Sequence, residues 1–125
     1  MEKHPNAKIR VLILWSPIRP GDSRWTARDA AHYLSDSRSI HFWDLWQFGA
    51  RSYTKKLNYA PGESAWDIYV GYKEGLTWGP EIPESTFWMQ NHGLDIGPKY
   101  SPDLLEQELE KYIDQNQEGS LIDSN

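Results

Sequence analysis

The sequence predicts a small α/β domain, a central mixed sheet of four strands flanked by helices in the order β-α-β-α-β-β-α. Three observations carry that prediction. A near-continuous apolar run, Ile9 to Trp15, is rich in branched side chains and stops at Ser16-Pro17, the mark of a strand covered on both faces. Such runs alternate along the chain with segments whose apolar residues recur at helical spacing. With 125 residues, 38% of them hydrophobic and seven of them Trp, the chain fits one domain, because so much aromatic surface collapses.

The elements follow in order. Residues 1–7 read as a flexible arm ahead of the first strand. Pro17, Pro20 and Gly21 then force a turn, and Asp22 or Ser23 accepts hydrogen bonds from the first amides of a helix. Ala27, Ala30, Ala31 and Leu34 give that helix a small-residue face. Ser39 to Trp43 is a second strand, parallel to the first across a β-α-β unit. Asp44 is placed as the N-cap of the next helix, with Gln47 three residues on, and that helix stops before Asn58 and Pro61-Gly62. Asp67 to Tyr72, the turn Lys73-Glu74-Gly75 and Leu76 to Trp78 read as a hairpin. Residues 79–100 form a Pro/Gly-punctuated insertion in which Ser85 to Gln90 makes one helical turn. Ser101-Pro102-Asp103 opens a last amphipathic helix carrying Leu104, Leu105, Leu109, Tyr112 and Ile113, and residues 115–125 read as a disordered tail.

Composition narrows function. With no Cys, the chain has no disulfide scaffold, thiolate zinc site, iron–sulfur cluster or cysteine nucleophile. The net charge of −5 is split: residues 1–60 hold ten basic and five acidic side chains, residues 61–125 three and thirteen. A basic half suits an anion, while the acidic half, much of it on the last helix, argues against wrapping nucleic acid. Val11 to Trp15 is too short an apolar core for a signal peptide or a membrane span, so a cytoplasmic protein with no membrane partner is expected. His32, His41 and His92 lack metal-ligand spacing, and Glu106 and Glu110 fall on a solvated helix face, so no metal and no cofactor is expected.

The order of elements resembles the thioredoxin-like fold over about residues 8–114, with 79–100 inserted. The strand–turn–helix LWSPIRPGDSRW, the hairpin DIYVGYKEGLTW and the closing helix SPDLLEQELEKYI carry the resemblance. HFWD, AWDIYVGY and FWM are similar to pieces of an uncharacterised bacterial thioredoxin-like group. In that fold two cysteines follow the first central strand; here Arg19 stands at the attacking position and Asp22 at the resolving one, neither able to exchange a disulfide. Ser64-Ala65 stand where the family carries its cis-proline.

Two kinds of site emerge. Arg19, Arg24 and Arg28 cluster near a helix N-terminus and suit a carboxylate or phosphate, unless Asp22 and Asp29 offset them. Trp15, Trp66 and Trp25 fall near the same turn and suit a peptide, while Trp43, Trp66, Trp78 and Trp88 sit in apolar runs that fill a core. The expected ligand-binding residues are therefore Trp15, Ser16, Arg19, Asp22, Arg24 and Trp66. They describe a non-catalytic binding domain without thiol redox activity, whose partner is a protein, a peptide or a small anion. The alternatives are a non-thiol enzyme resembling glutathione-using members of the fold, with Ser16 assisting, and an assembly subunit that forms a homodimer through residues 79–100.

Overall fold

In the computed structural model the backbone is described for residues 3–122 and the side chains for residues 3–113. The first strand, β1 (Val11–Trp15), lies parallel to β2 (Ser39–Trp43) with Val11 opposite Ser39 and Trp15 opposite Trp43. Between them runs α1 (Arg24–Ala31), continued by a 3₁₀ turn from His32 to Leu34. Ser23 is the N-cap of α1: its hydroxyl accepts from the Thr26 amide while the Thr26 hydroxyl accepts from the Ser23 amide. A helix α2 (Phe48–Lys56) follows β2. The rest comprises β3 (Ile68–Gly71), β4 (Phe87–Gln90) and α3 (Pro102–Ile122).

The element order matches the predicted one, but the sheet does not. Four strands form two separate two-stranded sheets, β1–β2 parallel and β3–β4 antiparallel, in place of one central four-stranded sheet. The chain divides after Ala65 into two compact units, Met1–Ala65 and Trp66–Asn125.

In the first unit, the arm at residues 4–7 is held by Arg38. Its Nη1 donates to the carbonyls of His4 at 2.7 Å and Ala7 at 3.3 Å, while Nε and Nη2 fork onto the Asp36 carboxylate. That fork holds the Asp36 carboxyl well below the usual carboxylate range, and raises the Arg38 guanidinium in turn. Thr54 joins α2 to the segment after it: its hydroxyl donates to the Ala50 carbonyl and accepts from the amide of buried Ala65. Tyr59, in that segment, is buried, and burial, then the Glu63 carboxylate, push its phenol up.

In the second unit the predicted hairpin is replaced. The partner of β3 is Phe87–Gln90, paired Ile68 to Gln90 and Gly71 to Phe87; the segment Leu76–Trp78 is not a strand. Gly79-Pro80 follows that segment at once and leaves it three residues long, too short to bury anything across from β3. Phe87, Trp88 and Met89 supply aromatic and apolar bulk, so the stretch expected to make a helical turn is extended. Phe87 covers Gly71, the side-chain-free position opposite it. Trp78 is exposed and meets Tyr72 edge-on at 4.8 Å, rather than filling a core.

Among the described residues, Met89 and Gln90 are the largest fully buried side chains. Gln90 Nε2 donates to the Leu94 carbonyl at 2.8 Å, and its Oε1 accepts from the His92 amide at 3.1 Å. Its backbone amide donates to the Pro98 carbonyl and its carbonyl accepts from Tyr100. Through its side chain and its backbone together, Gln90 thus folds residues 91–100 onto the end of β4. Tyr69 stacks on Tyr100 at 4.3 Å, and burial raises its phenol, with Asp67 and Tyr100 adding to the effect. The helix α3 starts as predicted, the Ser101 hydroxyl accepting from the Leu104 amide ahead of Pro102. Its backbone continues to Ile122, and residues 123–125 of the segment read as a tail lie outside the described residues.

Candidate functional site

Five of the six predicted site residues, Trp15, Ser16, Arg19, Asp22 and Arg24, lie at the carboxyl end of β1 and in the turn into α1. Trp66 opens the second unit, where it is half-buried and tilts over His92 at 5.7 Å.

The turn is closed from within. The Asp22 carboxylate accepts from the amides of Ile18 at 2.9 Å and Arg19 at 2.6 Å, and the Asp22 amide donates to the Arg19 carbonyl. The connection after β2 repeats the device. Asp44 is not the N-cap residue itself; that position belongs to Gln47, whose backbone is left-handed at φ 56°. The Asp44 carboxylate nevertheless accepts from the amides of Phe48 at 2.9 Å and Gly49 at 2.7 Å, reaching past the cap to the first turn of α2. Gln47 Nε2 donates to the Pro17 carbonyl at 2.8 Å, and the Asp44 amide donates to the Trp15 carbonyl, tying the two loops together.

These contacts bear on the anion reading. Consecutive amides at strand ends and helix starts are where phosphates and carboxylates bind in α/β proteins. Here two such pairs already hold carboxylates of the chain itself. Arg19, in the turn, and Arg24, the first residue of α1, are exposed. Trp15 is half-buried and committed too: its Nε1–H donates to His41 Nδ1 at 3.0 Å, and the two rings lie parallel with centroids 6.1 Å apart. The acceptor role fixes His41 as the tautomer without a proton on Nδ1.

A different surface of the same unit is open. The first strand, expected to be covered on both faces, alternates half-buried and exposed residues, as does β2. In the parallel register Leu12 is opposite Ile40 and Leu14 opposite Phe42. These four side chains are 54%, 43%, 49% and 48% exposed, and they form an apolar plate on one face of the ribbon. Gly49, at the start of α2, borders it: a Cβ there would stand 2.6 Å from Leu14 Cδ2. Leu45, Trp46 and Phe48, between β2 and the first turn of α2, are also exposed, as is Trp25 on α1.

The plate was hidden in the sequence because Ile9 to Trp15 is apolar at nearly every position and shows no alternation. The available signal was β2, where Ser39 and His41 alternate with Ile40 and Phe42 and mark one face as the apolar one. A concavity of about 430 Å³ lies elsewhere in the unit, lined among others by Arg51, Lys55, Tyr59 and Glu63. It is open and contains none of the predicted site residues; Lys55 and Lys56 stand in the last turn of α2, where cations offset the helix dipole.

No protein-family model, curated protein or solved structure matches the chain. Among the described residues, no helix is long and apolar enough to cross a membrane.

Proposed function

We propose that the chain is a non-catalytic binding module, thioredoxin-like in its order of elements and without thiol chemistry, whose first unit receives a protein or peptide. The observation that carries this reading is the exposed plate of Leu12, Leu14, Ile40 and Phe42. Parallel strands are ordinarily covered on both faces, so a parallel ribbon with one apolar face in water is a surface suited to a partner. Of the partners the sequence allows, a small anion is the less favoured, since Asp22 and Asp44 occupy the amide pairs that would cradle it.

Selection from a random displayed-peptide library against the full chain tests this reading. Enriched peptides should lose binding to Leu12→Asp and Phe42→Asp, with far-UV circular dichroism unchanged because both residues are half exposed. Enriched peptides that bind both variants as well as the parent would refute it.

A further inference from the structure

The plate has a size, a shape and a charged border, and together they point to one kind of occupant. Leu12 and Leu14 are two strand residues apart, roughly 6.6 Å, and the two strands are about 4.8 Å apart. That footprint, about two side chains by two, matches one turn of a helix, whose pitch is about 5.4 Å and whose width is about 10 Å. A helix carrying apolar residues at i and at i+3 or i+4 sets successive anchors over Leu12 with Ile40 and then Leu14 with Phe42. Helices are also the elements that cover parallel sheets.

Charge narrows the choice. Residues 1–65 contain ten Lys and Arg against six Asp and Glu. Three of those acids are engaged locally: Asp22 and Asp44 hold backbone amides, and Asp36 holds Arg38. Arg10 is exposed and continues the alternation of β1, two residues before Leu12 and so on the side of the plate.

We infer that the occupant of the plate is an acidic amphipathic helix of a partner protein, its apolar stripe on Leu12, Leu14, Ile40 and Phe42 and its carboxylates toward Arg10. The inference rests on the proposed binding function and specifies the partner's chemistry.

Three labelled peptides of about 18 residues, ~27 Å if helical, distinguish the outcomes by fluorescence anisotropy. The first carries Leu at helical spacing among Glu, the second replaces Glu with Lys, and the third has the first peptide's composition with Leu at every second position. The first should bind at least roughly tenfold more tightly than either of the others. The chain with Arg10→Glu should bind it roughly fivefold more weakly at low salt, with the difference shrinking at high salt. Binding should be lost in Leu12→Asp and in Phe42→Asp. Equal binding of the Lys peptide, or stronger binding of the alternating one, overturns the acidic helix while leaving the binding function standing. Failure of all three peptides beside a plate-dependent library selection does the same. Failure of all three together with a selection that ignores the plate overturns both.

Discussion

Replacing Gln90 by Glu should make the protein's stability depend on pH in a direction opposite to that of most native carboxylates. Gln90 is fully buried; its Nε2 donates to the Leu94 carbonyl and its Oε1 accepts from the His92 amide. A protonated Glu has almost the same shape and donates to the Leu94 carbonyl in place of the amide. An ionised Glu keeps the bond from His92 but sets a buried negative oxygen against the Leu94 carbonyl. The charged form is therefore disfavoured, and the folded-state pKa lies above the ordinary value of about 4.3, by about three for a fully buried group. At about 1.36 kcal/mol for each pH unit, the loss reaches about 4 kcal/mol. Because the folded pKa is raised, stability is intact below about pH 4 and falls away between roughly pH 4 and 7. Urea unfolding of parent and variant at pH 4 and pH 8 measures the difference, and taking it cancels the titration of Asp36 and other shared groups. Gln90→Met removes both bonds without adding a titrating group, so it should cost about 2–3 kcal/mol at both pH values. If Gln90→Glu costs the same at pH 4 and pH 8, Gln90 is not the buried clamp described.

Other perturbations test other parts of the fold. A Cβ at Gly97 would fall within the Trp88 indole, and the backbone there is left-handed at φ +65°, whereas Gly75, at φ +80°, faces open space. Gly75→Ala should then cost about 1 kcal/mol for its backbone alone, and Gly97→Ala roughly 1–3 kcal/mol more, with altered Trp near-ultraviolet dichroism; equal losses would remove the indole contact. Arg38→Lys cannot fork onto Asp36 and reach His4 and Ala7 together, so amide exchange at residue 7, whose N–H donates to His4, and over residues 9–11 should speed up while residues 68–71 keep their protection. The Asp36 carboxyl is depressed by Arg38, so its stabilising effect is present above about pH 4 and lost as the pH falls; Asp36→Asn should flatten the acid limb of the stability curve, and an unchanged limb would show that the fork contributes nothing. His41→Phe removes the acceptor for Trp15 Nε1 but keeps a flat ring, so Trp emission should shift without loss of secondary structure; identical spectra would refute the hydrogen bond.

Local chemistry was legible in the sequence; long-range pairing was less so. Ser39–Trp43 falls where the β-rich run predicts it, Ser23 caps α1, Pro102 starts α3, and the β1–β2 pair is parallel. Each of these depends on residues close together or on the simple β-α-β rule. The choice of partner for β3 failed because a Lys73-Glu74-Gly75 turn invites a short hairpin, and only the bulk of Phe87, Trp88 and Met89 outweighs that proximity. Arg38 reaches His4 across 34 positions, which no local pattern reveals. Of the site residues, Asp22 was visible as a helix-start acid, but not as the group that takes the Ile18 and Arg19 amides. The plate required the register of two strands and the exposure of one face, both properties of pairing rather than of either segment alone.

The aspartates at the strand ends bear on where a partner can bind. In this chain Asp22 fills the turn after β1, Asp44 fills the start of α2, and Gln47 links the two loops through Pro17. Polar recognition at the strand ends therefore competes with hydrogen bonds the fold already makes. The face formed by Leu12, Leu14, Ile40 and Phe42 has no comparable internal satisfaction, and covering it releases water without breaking any bond. On the proposed binding function, this balance favours association on the face of the ribbon over association at its end. In that proposal Arg10, exposed on the side of the plate, contributes more to the orientation and association rate of an acidic partner than to its affinity.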